Sequence, residues 1–336
     1  MNIALIGLGM VAGTHIAAIQ DAGLHLRGVL ASSAESTRTA AARHDTHGYA
    51  SVDEIAQDGA VDFVIIATPP NARADIAETL VQAGKPMLME KPIERDLATA
   101  TGIVKACEAA DVPLGIVFQH RAREASAALK SLIETGALGQ IATIDLRVPW
   151  WRDQSYYDEP GRGSYARDGG GVMISQAIHT LDLALWLCGG VTSVQAMMRQ
   201  TGLHSLEAED WAGALLEMQN GAVGTLTATT AAYPGGAETI TIQGSKAAAH
   251  LGSGVLTIYY LDGRCEMIGA TGGTGGGADP MAFTHDWHRA VIADFAEALE
   301  TGRTPLATGR SALAVHAVID AMERASRSGA RTEVTI

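Results

Sequence analysis

The chain has 336 residues, of which 47% are hydrophobic and 18% charged, and its formal net charge is −13. This length favours two domains, and the excess of acidic residues argues against a nucleic-acid partner. No apolar run approaches a membrane span, and the N-terminus begins with a short apolar strand instead of a signal peptide. The cysteines, Cys107, Cys188 and Cys265, are widely spaced in apolar contexts. They predict buried thiols in a reducing compartment, which favours the cytoplasm.

The first residues predict a strand, a glycine-rich loop and the start of a helix. The apolar run 2–6 is followed by Gly7-Leu-Gly9-Met-Val-Ala12-Gly13, which fits the dinucleotide fingerprint G-x-G-x-x-G/A. Gly7 permits the tight turn, Gly9 lets the backbone approach a pyrophosphate, and Ala12 lets the helix pack on its strand. The N–H groups at the helix start are then available to the phosphates. The loop residues expected to contact the dinucleotide are Gly7, Gly9, Met10 and Val11.

Strands alternate with helices as far as residue 120. After the first strand, the pattern predicts strands over 24–30, 61–67, 86–89 and 114–118 and helices over 34–43, 73–83 and 99–110. Such alternation implies a parallel sheet with right-handed crossovers. We therefore expect an α/β Rossmann domain over residues 1–120.

The end of the second predicted strand bears on which dinucleotide is bound. An Asp or Glu here, about 20 residues past the glycine loop, would bind the ribose hydroxyls of NAD. The chain instead reads Ala31-Ser32-Ser33, with Arg38 a turn later. Serine hydroxyls and an arginine suit a 2′-phosphate better than a ribose diol, so the cofactor is expected to be NAD(P) with a lean to NADP. The alternative is that Arg38 is a solvated helix residue.

From residue 141 the pattern changes to strands in succession. They are predicted over 141–150, 191–200, 211–218, 222–231, 238–243 and 255–260. Successive strands imply an antiparallel sheet with helices on one side, so residues 121–336 are expected to form an α+β domain with a large, mainly antiparallel open sheet. A half-apolar open face favours self-association, as a homodimer or homotetramer. The glycine-rich segment 269–279 is interpreted as a flexible connection.

One helix of this domain carries polar residues that need an explanation. Glycines bound the segment 169–190, which predicts one capped helix. Ser175, His179, Asp182 and Trp186 recur at helical spacing beside an apolar stripe. Polar groups on such a helix are unfavourable unless they are paired or used. The alternative to a functional role is that His179 is a core histidine with its hydrogen bonds satisfied and that Asp182 is exposed to solvent.

A long loop precedes this helix. The segment from Trp150 to Asp168 is aromatic and rich in arginine. Aromatic faces stack on sugar CH groups and arginines bind anions, so the segment is interpreted as a substrate lid. A structured loop with a hydrophobic anchor is the alternative. The arginines hint at an anionic substituent.

Two further motifs follow predicted strands at the ligand-binding edge of the first sheet. They are Ala67-Thr-Pro-Pro-Asn71 and Met89-Glu90-Lys91-Pro92. Together with the glycine fingerprint and the segment from Gly169 to His179, they resemble the Gfo/Idh/MocA family, the relatives of glucose-fructose oxidoreductase and inositol dehydrogenase. The resemblance covers essentially the whole chain.

The resemblance implies roles for the matching residues. Lys91 would lie beside the nicotinamide and the substrate, and Glu90 would approach the nicotinamide side. One departure is Arg73, where the family commonly has a histidine that contacts the cofactor. The loop residues that would touch the cofactor are Thr68, Pro69 and Asn71. The implied substrate is a small polyhydroxylated compound, such as a sugar, a sugar derivative or a cyclitol, and the implied activity is hydride transfer.

Hydride transfer between nicotinamide C4 and a carbinol or carbonyl carbon also requires movement of the hydroxyl proton. We expect His179 to exchange this proton and Lys91 to hydrogen-bond the same oxygen. Many relatives have an Asp one turn before this His, whereas this chain has Ser175, which holds no charge at neutral pH. Asp182 is the candidate orienting carboxylate. The residues expected to contact the substrate are Lys91, Gln119, Trp151, Arg152, Tyr156, Ser175, Gln176 and His179.

Two alternative functions remain open at this point. Some relatives cleave glycosides through transient oxidation with retained NAD, and a few are non-catalytic dinucleotide sensors. The presence of both Lys91 and His179 argues against a sensor. No metal site is expected, because the segment His44-Asp-Thr-His47 lies in a turn of the nucleotide-binding domain and no H-E-x-x-H or paired C-x-x-C motif occurs.

Overall fold

The computed structural model describes residues 1–271 and 284–336. They divide into two compact units. The first unit comprises Met1–Gln119 and His285–Ala312, and the second comprises His120–Thr284 and Leu313–Ile336. Most of the predicted connection 269–279 lies outside the described residues.

The first unit is built on a six-stranded parallel sheet in the order β3-β2-β1-β4-β5-β6. Its strands are β1 (Asn2–Ile6), β2 (His25–Leu30), β3 (His47–Gly48), β4 (Phe63–Ile66), β5 (Met87–Glu90) and β6 (Leu114–Val117). The central strands are apolar and buried along their length because helices cover both faces of a parallel sheet. The predicted Rossmann fold is confirmed.

The helices of the first unit follow the strands in the expected alternation. They are α1 (Ala12–Asp21), α2 (Ala34–His44), α3 (Val52–Gln57), α4 (Arg73–Gln82), α5 (Leu97–Ala109) and, much later in the chain, α9 (Asp286–Thr301). The sequence pattern does not predict β3 or α3, which have two and six residues. Elements this short give too few periods of hydrophobic alternation to be recognised.

Helix α9 packs in the first unit, although the sequence pattern assigns it to residues 121–336. It contacts α1 and β6. Phe295 of α9 is 1% exposed, and its ring lies against Phe63 of β4 with the centroids 5.3 Å apart. Opposite that ring the sheet has Gly115, where a Cβ atom would lie 2.6 Å from Phe295 Cδ2. The glycine therefore makes room for the phenylalanine.

The second unit contains a nine-stranded sheet in the order β14-β13-β12-β11-β7-β10-β9-β8-β15. Only the β7–β10 pair is parallel. The strands are β7 (Ile141–Pro149), β8 (Val191–Arg199), β9 (Trp211–Met218), β10 (Val223–Thr229), β11 (Thr239–Gly244), β12 (Ala247–Gly252), β13 (Val255–Tyr260), β14 (Cys265–Gly269) and β15 (Thr332–Glu333). The predicted open, mainly antiparallel sheet is confirmed, and β12 and β14 are additions to the prediction.

Buried and exposed residues alternate along the central strands of this sheet. Leu226 and Ala228 of β10 point into the core, whereas Val223 is 54% exposed and Leu215 of the neighbouring β9 is 57% exposed. The outer face carries a shallow hollow of about 570 Å³ lined in part by these two exposed side chains. Cys265 also lies exposed, on the edge strand β14, so the prediction that all three thiols are buried is wrong for this one.

The helices of the second unit are α6 (Glu124–Glu134), α7 (Gln154–Tyr157) and α8 (Ile178–Cys188), and α10 (Gly309–Ser328) continues into it from the first unit. Helix α8 packs against α6, β7 and β11. A π-helical turn, Met173–Ala177, precedes it, so the predicted single helix has an irregular first turn. None of the helices in the described ranges is both long enough and apolar enough to cross a membrane.

The contact between Gly115 and Phe295 yields a stability prediction. Gly115→Ala should lower the free energy of unfolding by about 1–3 kcal/mol, because the added methyl overpacks against a buried ring. The matched control is Gly102→Ala in α5, where a Cβ atom has nothing within 4 Å and alanine favours the helix. Urea unfolding monitored by circular dichroism measures both variants. A Gly115→Ala protein as stable as the wild type would contradict the packing of α9 on this sheet.

Candidate active site

The glycine loop of the first unit has the geometry that its sequence predicts. Gly7 has a φ of +97°, and a Cβ atom there would lie 2.6 Å from backbone atoms of Ala67 and Thr68. A Cβ atom at Gly9 would meet nothing within 4 Å. Gly7 is therefore required by the turn, while Gly9 leaves open space above the loop.

Helix α1 begins at this loop without a side-chain cap. By contrast, α2, α3 and α5 are capped by Ser33, Ser51 and Asp96. Uncapped N–H groups and the positive end of the helix dipole favour an anion at this position. A groove of about 510 Å³ runs beside the loop, between residues of α1 and α2. These features fit the pyrophosphate of a dinucleotide.

The two motifs after β4 and β5 are fastened together by Arg73. Its guanidinium is buried, with Nε 3.0 Å and Nη2 2.6 Å from the carbonyl oxygen of Thr68. Its Nη1 donates to the carbonyl oxygens of Glu90 and Pro92. Burial lowers the pKa of Arg73 to about 10, so it stays charged at neutral pH. The residue that departs from the family pattern thus links the Thr-Pro-Pro-Asn loop to the Glu-Lys-Pro turn.

Glu90 turns its carboxylate into the interior of the first unit. His15 Nε2 lies 2.8 Å and His288 Nε2 3.7 Å from Glu90 Oε1, while the backbone N–H of Lys91 donates to Oε2 at 3.2 Å. Burial opposes ionisation of Glu90, but the hydrogen bond with His15 and the nearby imidazole of His288 outweigh it and hold the pKa of Glu90 well below its ordinary value. This network holds the backbone of Lys91 in place through its N–H group.

His15, Glu90 and His288 are also the one group in the described part of the chain with three metal-ligating side chains in reach of one another. Their ligand atoms lie within 4.8 Å. The N–O separation of 2.8 Å between His15 and Glu90 is the length of a hydrogen bond, and all three side chains are buried. The hydrogen-bond network accounts for this cluster.

Two predicted ligand-binding residues of the first unit carry buried polar atoms without a hydrogen-bond partner. They are Thr68, through Oγ1, and Gln119, through Oε1. Most buried polar atoms in proteins are paired, so an orphaned one marks a place where a ligand or water binds. Ser32 and Arg38 are exposed near the end of β2, and the Ser33 hydroxyl accepts from the N–H of Ser36 as the cap of α2.

In the second unit, Glu209 holds the start of the π-helical turn. Its Oε2 accepts from the N–H of Gly171 at 3.1 Å, its Oε1 from Met173 at 3.0 Å, and its carbonyl oxygen from Val172 at 2.9 Å. A Cβ atom at position 171 would lie 1.7 Å from that carbonyl oxygen. The third glycine of the Gly-Gly-Gly run is therefore required by the close approach of Glu209.

The π-helical turn contains Ser175 and Gln176. Because π turns hydrogen-bond from i to i+5, these residues do not continue the α-helical spacing to His179 that the sequence predicts. Gln176 Nε2 donates to the hydroxyl of Tyr156 at 3.0 Å, while Gln176 Oε1 is buried without a partner. Single π turns often occur at functional sites, and this one contains the unpaired acceptor Oε1 of Gln176.

Asp182 does not have the role predicted for it. Its two carboxylate oxygens accept from Nε and Nη2 of Arg121, at 2.8 and 2.5 Å, in a fully buried pair. Burial raises the pKa of Asp182 to about 6, against the attraction of Arg121. The ring of His120 stacks on that of His179, with centroids 4.9 Å apart and an interplanar angle of 24°.

Two arginines of the segment from Trp150 to Asp168 pair with residues of the same segment. Arg162 donates to Glu159 and, through Nη1, to the Tyr156 hydroxyl at 3.1 Å, and Arg167 Nη2 lies 2.6 Å from Glu159. Both arginines therefore bind the one carboxylate of Glu159, which weakens their predicted role as anion binders. Arg152 is buried, with its Nη1 2.7 Å from the carbonyl oxygen of Trp151 and its guanidinium over the rings of Trp150 and Tyr156.

Within the second unit the structure therefore brings Arg152, Tyr156 and Gln176 together. The ring of Trp151 lies 5.4 Å from that of Tyr233 and 5.8 Å from that of His204, and its carbonyl oxygen accepts from Arg152 at 2.7 Å. His179 is 6% exposed in the first turn of α8. The predicted residues Trp151, Arg152, Tyr156 and Gln176 are thus connected through contacts within this unit.

Two models of one protein family match most of the chain. Residues 1–118 match the family model described as an oxidoreductase family with an NAD-binding Rossmann fold, and residues 126–250 match the GFO/IDH/MocA C-terminal domain. The chain belongs to the Gfo/Idh/MocA family. It is an NAD-binding oxidoreductase by that membership, as the sequence predicts.

Several proteins resemble the chain over most of its length. A D-apiose dehydrogenase of Rhizobium rhizogenes is 27% identical over 294 residues, or 82% of this chain and 80% of that protein. An inositol 2-dehydrogenase of Rhizobium meliloti is 25% identical over 81% of each. The WlbA dehydrogenase from Bordetella pertussis, solved with NADH and UDP-GlcNAcA, is 29% identical with a TM-score of 0.85 over 99% of this chain and 98% of that one. A levoglucosan dehydrogenase shares the fold, with a TM-score of 0.89 at 23% identity over all of both chains.

Several residues around the Gfo/Idh/MocA motifs are not found by sequence reasoning. They are His15, Arg121, Arg123, Glu209, Glu238 and His288. The one available signal is the run Gln119-His-Arg-Ala-Arg123, which concentrates charged and polar residues directly after a buried strand. The others pair with residues far away in the chain, and a single sequence contains no record of those pairings.

The buried carboxyl of Glu209 yields a pH prediction. Burial raises its pKa to about 7, against the hydrogen bonds from Met173 and Gly171, whereas the unfolded chain has the ordinary value near 4.5. Between these values the folded state binds one more proton, so stability is largest at low pH and falls as pH rises towards 7. The loss at this site is on the order of 3 kcal/mol.

Glu209→Gln should remove this part of the pH dependence, because an amide does not titrate. Guanidinium unfolding at pH 5, 6 and 7.5 measures the slope for the wild type and the variant. The matched control is Glu207→Gln, which removes an exposed carboxylate from the same segment and should keep the wild-type slope. Equal slopes for Glu209→Gln and the wild type would refute a buried, titrating Glu209.

Proposed function

We propose that the chain oxidises or reduces a carbon–oxygen group of a sugar, a sugar derivative or a cyclitol with a nicotinamide cofactor. The observation that carries the proposal is the set of predicted ligand residues whose buried oxygen atoms lack partners: Thr68, Gln119 and Gln176. Thr68 and Gln176 lie in motifs of the family and Gln119 lies just after β6, and each offers an atom that a hydroxylated ligand would satisfy. The names of the relatives, D-apiose dehydrogenase and inositol 2-dehydrogenase, agree with a polyhydroxylated substrate.

The cofactor fits the glycine loop and its surroundings. Open space at Gly9 and the uncapped start of α1 would accommodate the pyrophosphate. Met10 and Val11 on the loop and Thr68, Pro69 and Asn71 after β4 would complete the contacts. The carboxylate of Glu90 already binds His15, so we propose that it acts on the cofactor side through the backbone of Lys91. When bound, the cofactor supplies C4 of the nicotinamide as the hydride acceptor or donor.

Lys91 and His179 would handle the hydroxyl proton. In the oxidative direction the imidazole of His179 accepts the proton as hydride leaves the carbinol carbon. The ammonium of Lys91 donates a hydrogen bond to the same oxygen and stabilises the developing negative charge. Ser175, Gln176 and Tyr156 would bind neighbouring hydroxyls. Arg152, which is held over two aromatic rings, would take an anionic substituent where the substrate has one.

The exposed face of the nine-stranded sheet supports a homodimer or homotetramer as a further part of the proposal. Leu215 and Val223 are more than half exposed there, beside a shallow hollow. Apolar residues in such an arrangement commonly mark an interface. The cytoplasmic location expected from the sequence remains a prediction.

Two substitutions test the chemical roles. Lys91→Met and His179→Asn should each lower turnover by roughly 10²–10⁴, because each removes a group that acts on the proton or the charge in the transition state. Cofactor affinity, measured by quenching of tryptophan fluorescence, should change little. The reaction is followed as nicotinamide absorbance over a panel of sugars and cyclitols. Near wild-type turnover in His179→Ala would end the assignment of this histidine.

The cofactor preference is a separate prediction. No acidic residue follows β2 before Glu35, and Ser32 and Arg38 are exposed there, so NADPH should bind more tightly than NADH. Arg38→Gln should weaken NADPH binding roughly tenfold, the effect of one lost charged hydrogen bond. Titration with NADH is the internal control, since that cofactor has no 2′-phosphate and its affinity should not change. Tighter binding of NADH by the wild type would contradict the preference for NADP.

A further inference from the structure

The ring of His179 lies against a second imidazole. The centroids of His120 and His179 are 4.9 Å apart and the rings are inclined by 24°. Both side chains are buried, with 3% and 6% of their surfaces exposed. A near-parallel pair of rings at this separation is a favourable contact, and it leaves the stacked ring few orientations.

His120 also lies near a buried ion pair between Arg123 and Glu238. Its Nε2 lies 3.9 Å from Oε1 of Glu238, and the same oxygen accepts a hydrogen bond of 2.7 Å from Nη1 of Arg123. Arg123 and Glu238 are both buried, at 7% and 6% exposure. A buried ion pair has few alternative geometries because each partner would lose its counter-charge by moving. The support behind His120 is therefore stiff.

Other charged groups of the second unit near α8 have partners of their own. Arg121 and Asp182 form a two-point pair on the side of α8. Lys130 of α6, which packs against α8, donates to the carbonyl oxygen of Trp186 at 2.8 Å. The stack with His120 is a contact that restricts the ring of His179.

We propose that His120 is a positioning residue, whose ring fixes the plane in which His179 exchanges the substrate proton. The inference rests on the proposed role of His179. Proton transfer requires the acceptor nitrogen to point along the hydroxyl bond, and a displacement of about 1 Å costs roughly 100-fold in rate. The stack with His120 restricts the ring of His179 to such an orientation by its shape.

A matched pair of variants distinguishes the effect of the planar ring of His120 from the effect of its polar atoms. His120→Phe and His120→Leu are both apolar and both lose the contact with Glu238, but only phenylalanine keeps a planar face. We expect kcat in His120→Leu to fall roughly tenfold or more, with KM and cofactor affinity within about threefold of the wild type. In His120→Phe most of the loss should be recovered. The solvent deuterium isotope effect on kcat should be larger in His120→Leu, because proton transfer becomes slower.

Wild-type kcat in His120→Leu would overturn the inference, and so would a His120→Phe variant as slow as His120→Leu. Thermal unfolding of both proteins checks that they fold. Where neither folds, Glu238→Gln decides, since it loosens the support behind His120 and keeps both rings. A lower kcat with unchanged KM supports positioning, and a wild-type kcat contradicts it. Full turnover in His179→Ala would instead refute the proposed function itself, whatever the His120 variants do.

Discussion

A carboxyl group in a protein interior is stable only when hydrogen-bond partners surround it, and this constraint organises the described parts of the chain. Glu90 binds His15 and the backbone of Lys91, and Asp182 binds Arg121 through both oxygens. Glu209 binds the backbone of the glycine run before α8, and Glu238 binds Arg123 beside His120. Glu90 lies in a motif of the family, and Glu209 holds the glycine run of another. Their pairing fixes backbones and rings that carry the proposed chemistry.

The groups proposed to bind ligands follow the opposite rule. Thr68, Gln119 and Gln176 each keep a buried oxygen atom without a hydrogen-bond partner. An unsatisfied buried acceptor or hydroxyl costs folding free energy, and a hydroxylated ligand that satisfies it would recover that energy on binding. The unpaired oxygens of these three residues therefore agree with their proposed contact with ligands.

Features with a local cause could be predicted from the sequence. The strand and helix periods, the turn at Gly7 and the family resemblance all depend on residues close together in the chain, and the structure and the comparisons confirm the fold and the family. Contacts between distant residues could not be predicted. The packing of α9 on β6 joins residues about 180 positions apart, and Glu90 meets His288 across a similar distance. Periodicity carries no information about such pairs.

The π-helical turn shows a second limit. The spacing of Ser175, His179 and Asp182 predicts one polar face because it assumes a regular α-helix. Glu209 binds the first N–H groups of this segment, and the turn that follows is π-helical, so Gln176 meets Tyr156 and Asp182 meets Arg121. Of the predicted face, His179 and Asp182 are buried, whereas Ser175 and Trp186 are partly exposed. Local irregularity of this kind follows from tertiary contacts, which the sequence pattern does not record.

Transfer of deuterium tests the central claim, that hydride moves between a carbinol carbon and the nicotinamide. The wild-type protein is incubated with oxidised NAD or NADP and a panel of sugars and cyclitols deuterated at their carbinol carbons, and the nicotinamide is examined by mass spectrometry. The account predicts that at least one substrate places one deuterium on C4 of the reduced cofactor. Cofactor that binds but never acquires the label, across a panel that includes apiose and inositol, would contradict it.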